Sequence, residues 1–283
     1  MGSKGNKGMV YLGTNLWPVS RRVSGEENDC LAITFLQGEL DEVLAGMKPD
    51  SAPGTDGFPI VFFKRFWGTL KGTILKILNE YVLGRIDIAR LNFGILTLIP
   101  KVQGADSIRQ FRPIAIINVI FKFDAKAFAM RLSPIAHRII DRSQSAFIKG
   151  RFIHEGILAL NEISHEVQVK KLGGVFLKLD FEKAYDWVNW DFLQSVLDRK
   201  GFDPVVIHRL MQLVSGGQTA ININGEVGPY FRNVRGVSQG DPLSPVLFYF
   251  VGDTLAMILE RAREAGHIQG LVPHLIPGGV SHL

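Results

Sequence analysis

Apolar residues recur along this chain with two different periods, and the changes between them predict an alternation of helices and strands. Thr34-Phe35-Leu36-Gln37 has capping-box spacing, and Leu40, Val43, Leu44 and Met47 share one helical face, which predicts a helix to about Lys48. Ile60, Phe63, Trp67, Leu70, Ile74, Ile77 and Tyr81 repeat at helical spacing, with Gly72 as a candidate break and Gly84 as the stop. Phe93–Pro100 and Phe111–Asn118 read as two strands joined by a polar loop. A basic helical stretch follows over 119–142, expected to be interrupted at Pro134, and Ile157, Leu160, Ile163 and Val167 mark another helix. Val175, Phe176, Leu177 and Leu179 form a short apolar run that predicts a buried strand ending in acid. Asn189 can cap a helix with Phe192, Val196 and Leu197 inward, stopped by Gly201, and Pro204–Ser215 is a further helix. Residues 219–224 and 230–234 flank Asn224-Gly225 as a hairpin, and a loop over 235–245 opens a last long helix to about Glu264. This irregular order suits α+β rather than a doubly wound sheet.

Composition narrows the class. The chain has 283 residues, 46% hydrophobic and 21% charged, which is ordinary for a folded protein with room for two lobes. A net charge of +5 favours polyanionic partners without requiring them. The single Cys30 excludes an intrachain disulfide framework and a multi-Cys zinc site. The basic start is not followed by an apolar signal segment, and Val246–Val251 is too short to span a bilayer. These features lead us to expect an intracellular protein, nuclear or cytoplasmic, with no membrane partner. Residues 1 to about 30, rich in Gly, Ser, Lys and Asn and without sustained periodicity, are expected to be a flexible leader.

Three stretches carry candidate chemistry. Asp180 ends the acidic strand, with Glu182 and Asp186 close behind, and hard carboxylate oxygens suit Mg²⁺ shared with phosphates. A solvated acidic loop is the plain alternative. Lys101, Arg109 and Arg112 lie in or beside the loop between two strands, where cations can meet a triphosphate. Lys122 and Lys126 share one face of the basic helix and Arg131 and Arg138 another, a candidate phosphate-tracking surface. Leu179-Asp180-Phe181-Glu182 also invites an aspartyl phosphotransferase reading, but that chemistry wants Asp-x-Asp on a parallel sheet, and no βαβ pattern is present. His154, His165, His267, His274 and His282 fit no metal-ligand spacing.

Lys48–Gly57, Ile99-Pro100-Lys101 with Phe111-Arg112-Pro113-Ile114, Leu179–Asp186 and Gly236–Pro245 occur in one order, and together they are far more specific than any one loop. Over about residues 31–283 the chain resembles the reverse transcriptase of LINE-type, non-LTR retrotransposons, with wording closest to plant elements. The resemblance implies a right-hand polymerase with fingers over 31–170 and a partial palm over 171–283, and a template RNA, a primer DNA and a dNTP as partners. It implies that Asp180 is the first catalytic aspartate, a ligand of two Mg²⁺ ions assisted by the carbonyl of Phe181. Tyr185 matches the aromatic gate that presses on the sugar. Arg112 and Lys101 match residues that hold the incoming triphosphate, and Gln239 and Gly240 match the loop packed on the nascent base pair. Asp186 is also a family position, either a ligand or structural.

Two departures from the family pattern are Trp187 and Ser238, which stand where a basic residue is usual. The family's third motif, an aromatic-Ala-Asp-Asp turn, would fall just after Leu283, and Asp253 lies inside a predicted helix and cannot replace it. The resulting expectation is a truncated fragment with an incomplete palm sheet and no thumb, little active alone. The alternative is a non-catalytic nucleic-acid-binding remnant.

Overall fold

The computed structural model describes residues 12–283 except 146, 147 and 149, together with the backbone alone at residue 89. The leading helices are α1 (Gly25–Ala32), α2 (Gln37–Ala45), α3 (Ile60–Arg65) and α4 (Trp67–Val82). Strands β1 (Phe93–Pro100) and β2 (Phe111–Ile117) precede α5 (Val119–Ile139) and α6 (Ile153–Val169). Then come α7 (Trp190–Arg199), α8 (Pro204–Ser215), β3 (Gln218–Ile223), β4 (Glu226–Val227), β5 (Phe231–Arg232) and α9 (Ser244–Glu264). The architecture is α+β, as the order of elements predicts.

The core forms around α5, which buries Phe121, Phe123, Phe128, Leu132, Ile135 and Ile139 against α1, α2 and α9. Pro134 does not interrupt this helix. The missing N–H costs a helix about 3 kcal/mol, and the buried residues on either side outweigh it. The break between α3 and α4 falls at Phe66 rather than Gly72, which lies inside α4. Thr34 is not the cap of α2; the Glu39 carboxylate instead accepts from the Leu36 N–H at 2.7 Å. Within α5, both carboxylate oxygens of Asp124 are buried without a hydrogen-bond partner, and burial pushes this acid well up, so it stays neutral.

The mixed sheet runs β2-β1-β3-β4 among the described residues, with β5 also on β3. β1 pairs antiparallel with β2 (Ile99 opposite Arg112) and parallel with β3 (Ile95 opposite Ala220). Asn224 and Gly225 both take positive φ, 54° and 90°, so the expected Asn-Gly turn closes β3 onto β4.

The segment before α1 is folded from Leu12 onward, contrary to the expected flexible leader; the part of that expectation over residues 1–11 lies outside the described residues. Trp17 is 1% exposed and donates its indole N–H to Asp253 Oδ2 at 2.7 Å. That same carboxylate pairs with Lys200 at 2.6 Å, both side chains fully buried, and its other oxygen accepts from the Asp141 N–H at 2.7 Å. Burial pulls the Lys200 ammonium down and Asp253 opposes the shift. A buried pair this well hydrogen-bonded locks α7 to α9 and the leading segment to both.

Two of the cations assigned to a phosphate-tracking surface are used inside the fold. Arg131 pairs with Glu39 at 2.7 Å and donates to the carbonyls of Ile33 and Thr34. Arg138 pairs with Glu27 at 2.5 Å and donates to the carbonyls of Ser20 and Arg22. Both therefore staple the first helices onto α5, which corrects the expectation.

The buried strand expected over 175–180 does not form either. Residues 173–181 carry no regular element, and Val175 and Leu177 are 85% and 77% exposed. A strand needs a partner for its N–H and C=O groups, and among the described residues segment 173–181 pairs with no strand.

Candidate active site

Three pieces of backbone meet around Tyr185. The first is a tight turn: the N–H groups of Asp186 and Trp187 donate to the Lys183 carbonyl at 2.9 and 3.2 Å, and Lys183 adopts φ 52°. The second is the loop over 235–241. Its Gly236 N–H donates to the Val188 carbonyl at 2.7 Å, its Val237 N–H donates to the Tyr185 carbonyl at 3.0 Å, and Trp190 Nε1 donates to the Gly236 carbonyl at 2.7 Å. Glycine is required at 236: φ is 89°, and a Cβ there would sit 3.1 Å from the Asp186 carbonyl oxygen. The third piece is β2, joined to the loop through Ala115 and Gln239. Gly240 takes φ 107° in this contact, where a Cβ would lie 2.8 Å from the Ala115 carbonyl oxygen.

The ring of Tyr185 stacks on Phe248 of α9, with centroids 4.8 Å apart and planes 12° from parallel. The pattern of residues offered no signal for Phe248 as this support. Burial raises the Tyr185 hydroxyl, so it stays protonated. Burial also raises the Asp186 carboxyl, with Lys183 opposing. The start of α9 is pinned by Asp241, whose buried carboxylate accepts from Ser244 Oγ at 2.8 Å and from the Leu243 N–H at 3.3 Å. Burial pushes this carboxyl up to about 6 against those hydrogen bonds.

Of the expected site residues, Tyr185, Asp186, Gln239 and Gly240 thus lie on one connected backbone framework. Arg112 is exposed on β2, the strand that carries Ala115 into that framework, about 10 Å away along the strand at its usual rise. Lys101 sits in the β1–β2 loop, where its ammonium donates to the Arg109 carbonyl at 3.1 Å. Asp180 and Phe181 are exposed on the segment without regular structure.

A cavity of about 690 Å³ between α7 and α8, lined by Asp191, Ser195, Arg199 and His208 among others, includes none of these residues. Among the described residues no helix is long and apolar enough to cross a membrane.

Residues 99–269 match the family described as "Reverse transcriptase (RNA-dependent DNA polymerase)". The chain belongs to this reverse transcriptase family. It is 28% identical over 87% of its length to the "Transposon TX1 uncharacterized 149 kDa protein" of Xenopus laevis. It is 31% identical over 82% of its length to a "Retrovirus-related Pol polyprotein from type-1 retrotransposable element R2" of Nasonia vitripennis. These stretches are 19% and 22% of those relatives, so the chain spans about a fifth of their length. It thus corresponds to the reverse transcriptase domain of non-LTR retrotransposon polyproteins. Among solved structures, a "Partial Cas6-RT-Cas1--Cas2 complex" matches 83% of this chain and 35% of its own at 18% identity and TM-score 0.45.

Reverse transcriptases in general use divalent metal and bind template and primer. The described residues contain no group of three or more His, Cys, Asp or Glu side chains that could hold a metal ion. Asp180, Glu182 and Asp186 thus form no such group, and the described residues do not fit a two-cation centre.

Proposed function

We propose that this chain is the part of a non-LTR reverse transcriptase that holds the template, the primer end and the incoming nucleotide. Tyr185 presses on the incoming sugar and excludes a 2′-hydroxyl. Gln239 and Gly240 pack on the nascent base pair, and Arg112, with Lys101 beyond it, meets the triphosphate. Asp180 is proposed as one Mg²⁺ ligand, assisted by the Phe181 carbonyl. The observation that carries this reading is the framework in which the Tyr185 turn, the 236–240 loop and β2 are bonded to one another by backbone. A preformed surface of this kind needs little reordering on binding.

A complete two-cation centre needs more carboxylates than the described residues bring together. We therefore expect residues 1–283 to bind a primed template without extending it. Purified protein, a primed RNA template, Mg²⁺ and dNTPs test this in one tube. Binding that weakens with salt and no extension is the expected result. Extension abolished by Asp180→Ala overturns the second half of the reading, and absence of binding at low salt overturns the whole.

A further inference from the structure

Trp187 lies two residues past Tyr185 and is 59% exposed, while its neighbour Val188 is buried. A tryptophan left in water forgoes a large apolar burial, so its outward position calls for a reason. One face of the indole is already covered: the Arg235 guanidinium carbon lies 3.9 Å from the ring centroid. Arg235 is exposed, and among the described residues no carboxylate pairs with it. Both residues stand on locked backbone. Trp187 belongs to the turn closed on the Lys183 carbonyl, and Arg235 directly precedes Gly236, which is bonded to Val188 and Trp190.

We propose that Trp187 and Arg235 together form a stacking site for one unpaired base of a single-stranded nucleic acid lying beside the Tyr185 turn. This rests on the polymerase reading and adds a contact to it. An indole offers a π-face that accepts any base, and an arginine stacked beside it adds a cation for the neighbouring phosphate without fixing sequence. The placement suits a strand: residues 185 and 187 are at most about 7 Å apart along the chain, close to two base steps of 3.4 Å.

The test measures binding of the full chain to fluorescein-labelled oligo(U), oligo(dT) and a blunt duplex by anisotropy. Trp187→Ala should weaken both single strands about 5- to 150-fold, the range for loss of one stacked base, and leave the duplex within about twofold. Trp187→Phe keeps a ring and should stay within about threefold on all three ligands, which separates stacking from misfolding. Arg235→Gln should lower single-strand affinity and flatten its salt dependence. Loss for oligo(U) alone would assign the site to a sugar contact and overturn the stacking proposal. Unchanged single-strand binding by Trp187→Ala overturns it as well, leaving the pair as a surface for another polypeptide. Equal loss on single strands and duplex also overturns it. Wild-type protein that binds no nucleic acid overturns both this proposal and the polymerase reading, so the two failures are distinguishable.

Discussion

Two stretches that carry the family resemblance fold in opposite ways. The loop over 235–241 has its backbone bonded to the Tyr185 turn on one side and to β2 on the other, and Asp241 anchors it to the start of α9. The segment over 174–181 is richer in strand-forming residues, yet it forms no ladder and leaves Val175, Leu177, Leu179 and Phe181 exposed. The difference is one of partners. Turn geometry, glycine and a capping carboxylate satisfy the loop from neighbours already in place. A strand gains its stability only from pairing along its edge, which propensity alone cannot provide.

Lys200→Met leaves Asp253 of α9 buried without its cation, and should cost about 3–5 kcal/mol in urea unfolding. The next effect is in pH. The folded Asp241 carboxyl sits at about 6, above the ordinary value near 4, so its contribution is fully present below pH 4 and is lost as pH rises through 6. Asp241→Asn should therefore gain on wild type by about 2 kcal/mol between pH 4 and pH 7, read from urea midpoints across pH. Gly240→Ala forces a side chain into positive φ against the Ala115 carbonyl, and should cost about 1–3 kcal/mol while weakening binding of a primed template. Leu177→Thr, on the unpaired segment, should change stability by less than about 0.5 kcal/mol.

Elements with local signals were legible from the residues. The Asn189 cap of α7, where the Phe192 N–H meets Asn189 Oδ1 at 2.9 Å, and the Asn224-Gly225 turn both follow from neighbours in sequence. So does the loop that opens α9. What failed depends on distant partners. Pro134 is tolerated because of packing from other helices, and Arg131 and Arg138 find Glu39 and Glu27 far back in the chain. The same holds for Trp17, which meets Lys200 and Asp253 only in the fold. Trp187 was visible as a departure from the family pattern, but its pairing with Arg235 is a matter of two loops meeting.

Hydrogen exchange of the free protein, resolved at single amides, separates the bonded framework from the unpaired segment. Strong protection is expected at Ala115, Gly236 and Val237, whose N–H groups are bonded in the framework, and near-intrinsic exchange across 175–181. Protection of the 175–181 amides equal to that of Gly236 and Val237 would contradict it.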